Sequence, residues 1–139
     1  MTCPAQTAPI FHLSFPVRDL EEGLSYYART FGGIPGRRAQ AWADIALFGA
    51  QLTLQKMPGD VLDPMPRSRH FGATLGWNEW EALVATLSDF VEPPRIDLQG
   101  TESEQAKAMV QDPSGNLIEL KAYRHPDAVL GGLAGGRQP

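Results

Sequence analysis

Cysteine is almost absent: Cys3 is the single one in 139 residues. One thiol excludes a disulfide framework and a thiolate metal cluster, and it fits a reducing cytosol. No run of about 18 apolar residues occurs, so no membrane span is expected. The first residues lack the basic region and apolar stretch of a signal peptide. Basic residues do not gather beyond Arg37-Arg38, and the net charge is −4 with a pI of about 5.3. That balance argues against nucleic acid as a partner. Histidine is also scarce, with only His12, His70 and His125. What remains is an ordinary globular composition, 42% hydrophobic and 20% charged. A chain of this length can bury one core, and a separate cofactor domain does not fit.

The pattern along the chain repeats. Residues 1–9 read as a flexible arm with two prolines. Residues 10–17 alternate Phe11, Leu13, Phe15 and Val17 with His12, Ser14 and Pro16, the period of a strand. Asp19 is a helix N-cap, followed by Glu21 and Glu22 and by a stripe of Leu20, Leu24, Tyr27 and Phe31 that Gly32-Gly33 ends. Strands are expected at 34–40, 42–48 and 51–56, with a turn at Gly49-Ala50. Residues 57–69 hold three prolines and read as a linker. The order then restarts. A strand begins at His70, with Phe71, Ala73, Leu75 and Trp77 on one side. Asn78 is the expected N-cap of a second helix carrying Trp80, Leu83, Val84 and Leu87. Pro93-Pro94 reads as a break, with strands at 95–98, 104–111 and 116–123 and a strong turn at Asp112-Pro113-Ser114-Gly115-Asn116. Residues 125–139 read as a flexible tail. Phe11, Trp77 and Trp80 are expected in the core.

These elements predict an α+β fold. Two βαβββ half-units, about 10–56 and 70–124, would form one eight-stranded, incompletely closed mixed sheet with helices on its convex face. In each opening strand the large apolar residues should face the helix, leaving His12 and His70 on the concave face. In the final strand, Ile118 and Leu120 face the helix and Glu119 faces the cleft. Two imidazoles and a carboxylate on one surface are the ligand set of a facial triad, which leaves positions open for substrate. Taken singly, a strand histidine is more often structural and such a glutamate is usually just solvated; the weight lies in the joint pattern, two of three histidines opening the two half-units in matching phase and the glutamate following the Asp112–Asn116 turn.

Three segments carry a family resemblance: FHLSFPVRDLEEGLSYYARTFGG, HFGATLGWNEWEAL and QDPSGNLIELKAY. They resemble the vicinal oxygen chelate superfamily, which holds glyoxalases, extradiol dioxygenases, fosfomycin-modifying enzymes and bleomycin-binding proteins. The likeness covers about residues 10–124 and is greatest to a single-domain, dioxygenase-like group, through Trp42, Asp44, Phe48 to Leu52, His70 to Gly72, Glu104-Gln105 and Asp112 to Asn116. It implies metal ligands at His12, His70 and Glu119. It implies one divalent metal per chain, Fe(II) first, with Mn(II), Zn or Ni as alternatives. Ala50 and Gln55 stand where many members of that group carry histidine. Glyoxalases usually add a fourth ligand from the strand ending the first half. Aligning 49–56 on 115–122 puts Thr53 opposite Glu119, and no carboxylate is expected near it. Gln51 or Gln55 would serve only in a register shifted by two. Three protein ligands argue against glyoxalase.

The resemblance implies a metal-dependent enzyme acting on a small molecule chelated through adjacent oxygens, with an extradiol-type dioxygenase (an oxidoreductase) as the leading subtype. The alternatives are a lyase, isomerase or transferase of the same superfamily, or a non-enzymatic drug-binding protein. Lys121 and Tyr123 share the phase of Glu119 and are candidate catalytic residues. Gln51, Thr53 and Gln55 are candidate substrate contacts. A transferase would need a basic cluster, and Lys121 is the one base placed on that face. A homodimer and a cytoplasmic location complete the expectation.

Overall fold

The computed structural model describes residues 8–135; Cys3, most of the expected arm and residues 136–139 of the expected tail lie outside them. The chain divides into two compact units between Val61 and Leu62. No described helix is long and apolar enough to cross a membrane.

The first unit contains β1 (His12–Val17), α1 (Leu20–Phe31), β2 (Ile34–Arg38), β3 (Trp42–Leu47) and β4 (Ala50–Lys56). Asp19 caps α1, its carboxylate accepting the Glu22 N–H at 2.8 Å. Leu20, Leu24 and Tyr27 bury the expected stripe, and Gly32 closes the helix in the left-handed conformation. The sheet order is β1-β4-β3-β2, with β1 parallel to β4 and the remaining pairs antiparallel. Leu52 and Leu54 of β4 are buried, as are Val17 and Ile45, and Leu52 pairs with Ile45 across the β3–β4 ladder.

The β3–β4 turn lies at Phe48-Gly49, one residue earlier than the sequence suggested. Both residues have positive φ, 53° and 72°. This is the backbone of a two-residue hairpin loop, whose twist matches the flanking strands. Phe11 also departs from expectation: it is 68% exposed. It precedes the first ladder pair of β1, and burial rises only toward Val17, where Gly23 of α1 comes close to Val17 and Leu54.

The second unit repeats the order: β5 (His70–Leu75), α2 (Trp77–Val84), β6 (Glu92–Asp97), β7 (Gln105–Gln111) and β8 (Leu117–Tyr123). Its sheet order is β5-β8-β7-β6, again with the first pair parallel. Two short helices follow, α3 (Pro126–Leu130) and α4 (Gly132–Gly135), within the segment expected to be a tail. The fold class is therefore α+β, with the eight strands hydrogen-bonded as two open, mixed sheets of four.

Three details of this unit differ from the sequence reading. Gly76, not Asn78, is the N-cap of α2, and its N–H donates to the Glu79 carboxylate at 3.3 Å. This start places Trp80 and Val84 together on the buried side, where the Trp80 indole N–H donates to the Leu120 carbonyl at 2.8 Å. Leu87 falls beyond the helix. Pro93 and Pro94, expected to break the chain, lie inside β6. That strand is the sheet edge and its register slips between Glu92 and Arg95. A proline there removes no ladder donor that a neighbour needs. The Asp112–Asn116 turn is closed as expected, with the Asp112 carboxylate accepting from the Ser114 and Asn116 N–H groups at 2.8 and 2.9 Å.

Candidate functional site

In the second unit, β5 and β8 set the site. Their parallel register pairs Gly72 with Glu119 and Thr74 with Lys121. Alternation then puts His70, Gly72, Thr74, Glu119, Lys121 and Tyr123 on the face opposite Ile118 and Leu120. A depression of about 210 Å³ opens there, lined by β5 from His70 to Thr74 together with Glu119 and Lys121.

His70 and Glu119 are brought together, with Nε2 and Oε1 3.8 Å apart. On its other side the His70 ring is tied to the backbone, Nδ1 lying 2.6 Å from the Arg67 carbonyl. A carbonyl only accepts, so Nδ1 is the donor, and in the neutral ring the lone pair is on Nε2, the nitrogen nearer Glu119. This is the arrangement by which a metal-ligating histidine is oriented. Divalent ligand bonds of about 2.1 Å to nitrogen and oxygen can span the 3.8 Å gap. The pair therefore fits a divalent ion, with Glu119 largely shielded (13% exposed side chain) and His70 more open (34%).

Gly72 makes this approach achievable. A Cβ on Gly72 would lie 1.7 Å from the Glu119 carbonyl oxygen and 2.7 Å from its carbon. No other residue type tolerates that contact. Lys121 and Tyr123 are half-buried on the same face, with the Lys121 ammonium 5.4 Å from the Tyr123 ring centroid.

The first unit carries the corresponding positions. His12 pairs with Gln51 and Ser14 with Thr53 along β1 and β4. His70 pairs with Leu117 and Gly72 with Glu119, so Thr53 is the register equivalent of Glu119. His12 is held as His70 is, with Nδ1 3.2 Å from the Gln51 carbonyl and the Nε2 lone pair directed away from it. Gln55 donates to the Ser14 hydroxyl at 3.2 Å.

The expectation that no carboxylate stands near Thr53 is overturned. Asp44, the cross-strand partner of Thr53, is buried and accepts its hydroxyl proton at 2.7 Å. Arg37 donates to the second Asp44 oxygen at 2.8 Å and Gln51 to the same oxygen at 3.4 Å. The Thr53 hydroxyl, and then the Arg37 guanidinium, hold the Asp44 carboxyl below its usual value of 3.8 against the opposing effect of burial. Among the described residues, no group of three or more His, Cys, Asp or Glu side chains is gathered to hold a metal ion. The second unit supplies a pair, and His12 lies in the first.

The model of the Glyoxalase/Bleomycin resistance protein/Dioxygenase superfamily matches residues 10–120. The chain belongs to this superfamily. A glyoxalase/bleomycin resistance protein/dioxygenase from Alicyclobacillus acidocaldarius is 27% identical, with a TM-score of 0.76 over 87% of this chain and 96% of that one. The fosfomycin resistance protein FosX from Listeria monocytogenes, solved with Mn(II) and sulfate, is 16% identical, with a TM-score of 0.64 over 90% and 98%. A virulence protein from Salmonella typhimurium is 23% identical, with a TM-score of 0.55 over 85% and 98%. The last two likenesses speak to fold alone. Comparison with curated proteins gave no match. Superfamily membership agrees with the repeated βαβββ units; the members' differing chemistries leave the reaction to be argued from the site.

Proposed function

We propose that the chain is a metal-dependent enzyme acting on a small molecule chelated through adjacent oxygens, with one divalent ion per chain. The observation that carries this reading is the His70–Glu119 pair, 3.8 Å apart, with the histidine tautomer set by the Arg67 carbonyl. His12, held the same way by Gln51, is the third ligand of the proposal. FosX, a relative in fold, was solved with Mn(II). Fe(II) is the first choice here, with Mn(II), Zn or Ni as alternatives. The bound ion supplies Lewis acidity and a template for two neighbouring oxygens.

The chain's own residues do the rest. His70 and Glu119 fix the substrate's chelating end within the depression. Lys121 and Tyr123 stand two and four residues along β8 from Glu119; in the proposal Tyr123 exchanges the proton and the Lys121 ammonium steadies negative charge on the substrate. Gln51 and Gln55 offer amides from the first unit. Thr53, with its hydroxyl committed to Asp44, acts by holding that network. An extradiol-type dioxygenase is the leading subtype. A lyase, isomerase or transferase is the second reading, favoured by a further base, Lys107, on the face of Lys121. The working unit is taken as residues 10–124, acting in the cytoplasm as a homodimer.

Elemental analysis of protein purified without chelator should find about one divalent ion per chain. His70→Ala should lose it; a variant that keeps stoichiometric metal overturns the ligand assignment. Anaerobic Fe(II) loading followed by a catechol panel should give O2 uptake and ring-cleavage chromophores. Silence across the panel with metal bound moves the reading to the lyase, isomerase and transferase class.

A further inference from the structure

The sheet face that carries His70 and Glu119 also carries a row of cations. Lys121 of β8 pairs directly with Lys107 of β7, and Lys107 pairs with Arg95 of β6. Antiparallel partners share a face, so the three side chains stand side by side. Arg95 is neutralised at once: its guanidinium lies 3.0 Å from the Glu92 carboxylate and 3.1 Å from that of Asp97. The two lysines are not. Among the described residues neither forms an ion pair, and Lys121 has only the Tyr123 ring. Both are half-buried.

Like charges directly opposed on a ladder are destabilising. The arrangement makes sense if an anion sits between them. Lys121 belongs to the wall of the depression, and Thr74, the ladder partner of Lys121 on β5, lies on the same wall. The His70–Glu119 pair occupies the other end.

We propose that Lys121, in the wall of the depression, and its ladder partner Lys107, just beyond that wall, form an oxyanion subsite at this end, which selects substrates bearing a carboxylate, phosphate or phosphonate beyond their chelating oxygens. The subsite stands on the lysine pair alone; its assignment to the substrate rests on the metal-enzyme reading above. The substrate class is then a small organic acid, anchored at the lysines and chelated at the far end.

Calorimetric titration of the full chain tests this, with inorganic phosphate, methylphosphonate and acetate as probes, on chelator-treated and on metal-loaded protein. At least one probe should bind saturably at one site per chain to both forms. Whether the phosphorus anions or acetate bind tighter identifies which oxyanion the site was built for. Lys107→Gln and Lys121→Gln should each weaken binding by about tenfold or more, since each removes a charge-assisted hydrogen bond. Arg95→Gln should leave it within about twofold, because Arg95 is already satisfied by carboxylates. Both lysine variants should fold at least as stably as the wild type, as each relieves a repulsion. Absence of saturable binding, or binding that the lysine variants leave unchanged (an adventitious ion only), overturns the subsite. Metal loading without anion binding overturns this proposal alone. Anion binding without metal loading overturns the metal reading and leaves the subsite standing.

Discussion

Gly72 and Glu119 approach so closely that a side chain on the former would collide with the backbone of the latter: a Cβ would stand 1.7 Å from the carbonyl oxygen. The β5–β8 ladder, and with it the placement of the Glu119 carboxylate beside His70, depends on that missing atom.

Gly72→Ala should therefore disturb both stability and site. Forcing the two strands apart costs about 3 kcal/mol, a fall in Tm of roughly 10 °C for a chain of this size. Calorimetry measures the first effect. Titration with a divalent ion, on protein still folded at low temperature, should show weakened binding. A variant with unchanged Tm would mean that the strands relax freely at this point.

Asp44 gives a pH dependence whose sign follows from its hydrogen bonds. Its carboxyl is held below 3.8, chiefly by the Thr53 hydroxyl and then by Arg37. A carboxyl lowered on folding contributes stability that is present above the unfolded value and is lost as the pH falls through the folded one. Asp44→Asn should thus be less stable than the wild type at neutral pH, and the gap should narrow below about pH 4. Thermal melts from pH 7 down to about 2.5 check this. A gap that widens in acid contradicts the assigned direction.

Thr53→Val keeps the shape of the side chain and removes the hydroxyl. It leaves a buried carboxylate oxygen short of its donor, which costs about 2 kcal/mol. Chemical denaturation should show the loss as a lower midpoint with an unchanged slope. The Asp44 carboxyl should also titrate higher in this variant, as carboxylate NMR would record.

Asp112→Ala removes the acceptor of the Ser114 and Asn116 N–H groups and of the Asn116 side-chain amide, the last at 2.9 Å. A cost of about 2–3 kcal/mol is expected for a buried carboxylate with this many donors. Because β8 begins right after the turn, the same variant should weaken divalent-ion binding at Glu119, measured by titration.

Much of this fold was legible in the sequence because the signals were local. Period-two alternation gave β1, β5 and β8, the Asp19 cap and its apolar stripe gave α1, and the Asp112–Asn116 turn announced itself. The phase argument that put Glu119 on the His70 face needed only the alternation of β8. What escaped was decided by pairing. Placing the β3–β4 turn one residue too late pairs Thr53 with Ala46, and Asp44 then has no visible role. The true turn at Phe48-Gly49 pairs Thr53 with Asp44. A positive φ at Phe48 is what shifts it, and a phenylalanine gives no warning of that conformation. Lys107 was hidden in the same way, since its partner became known only with the β7–β8 register. Phe11 was misplaced because alternation says which way a side chain points, but not where the covering helix stops.

The ladder equivalence of Thr53 and Glu119 limits how the two units could be exchanged in their roles. Writing a glutamate at Thr53 would not copy the second unit's ligand into the first. The new carboxylate would face Asp44 directly across the strands, deprive it of its hydroxyl donor, and set two negative charges against each other in a buried position. Symmetry between the halves is barred by two residues acting together, so a change at either one alone meets a penalty before it reaches any benefit.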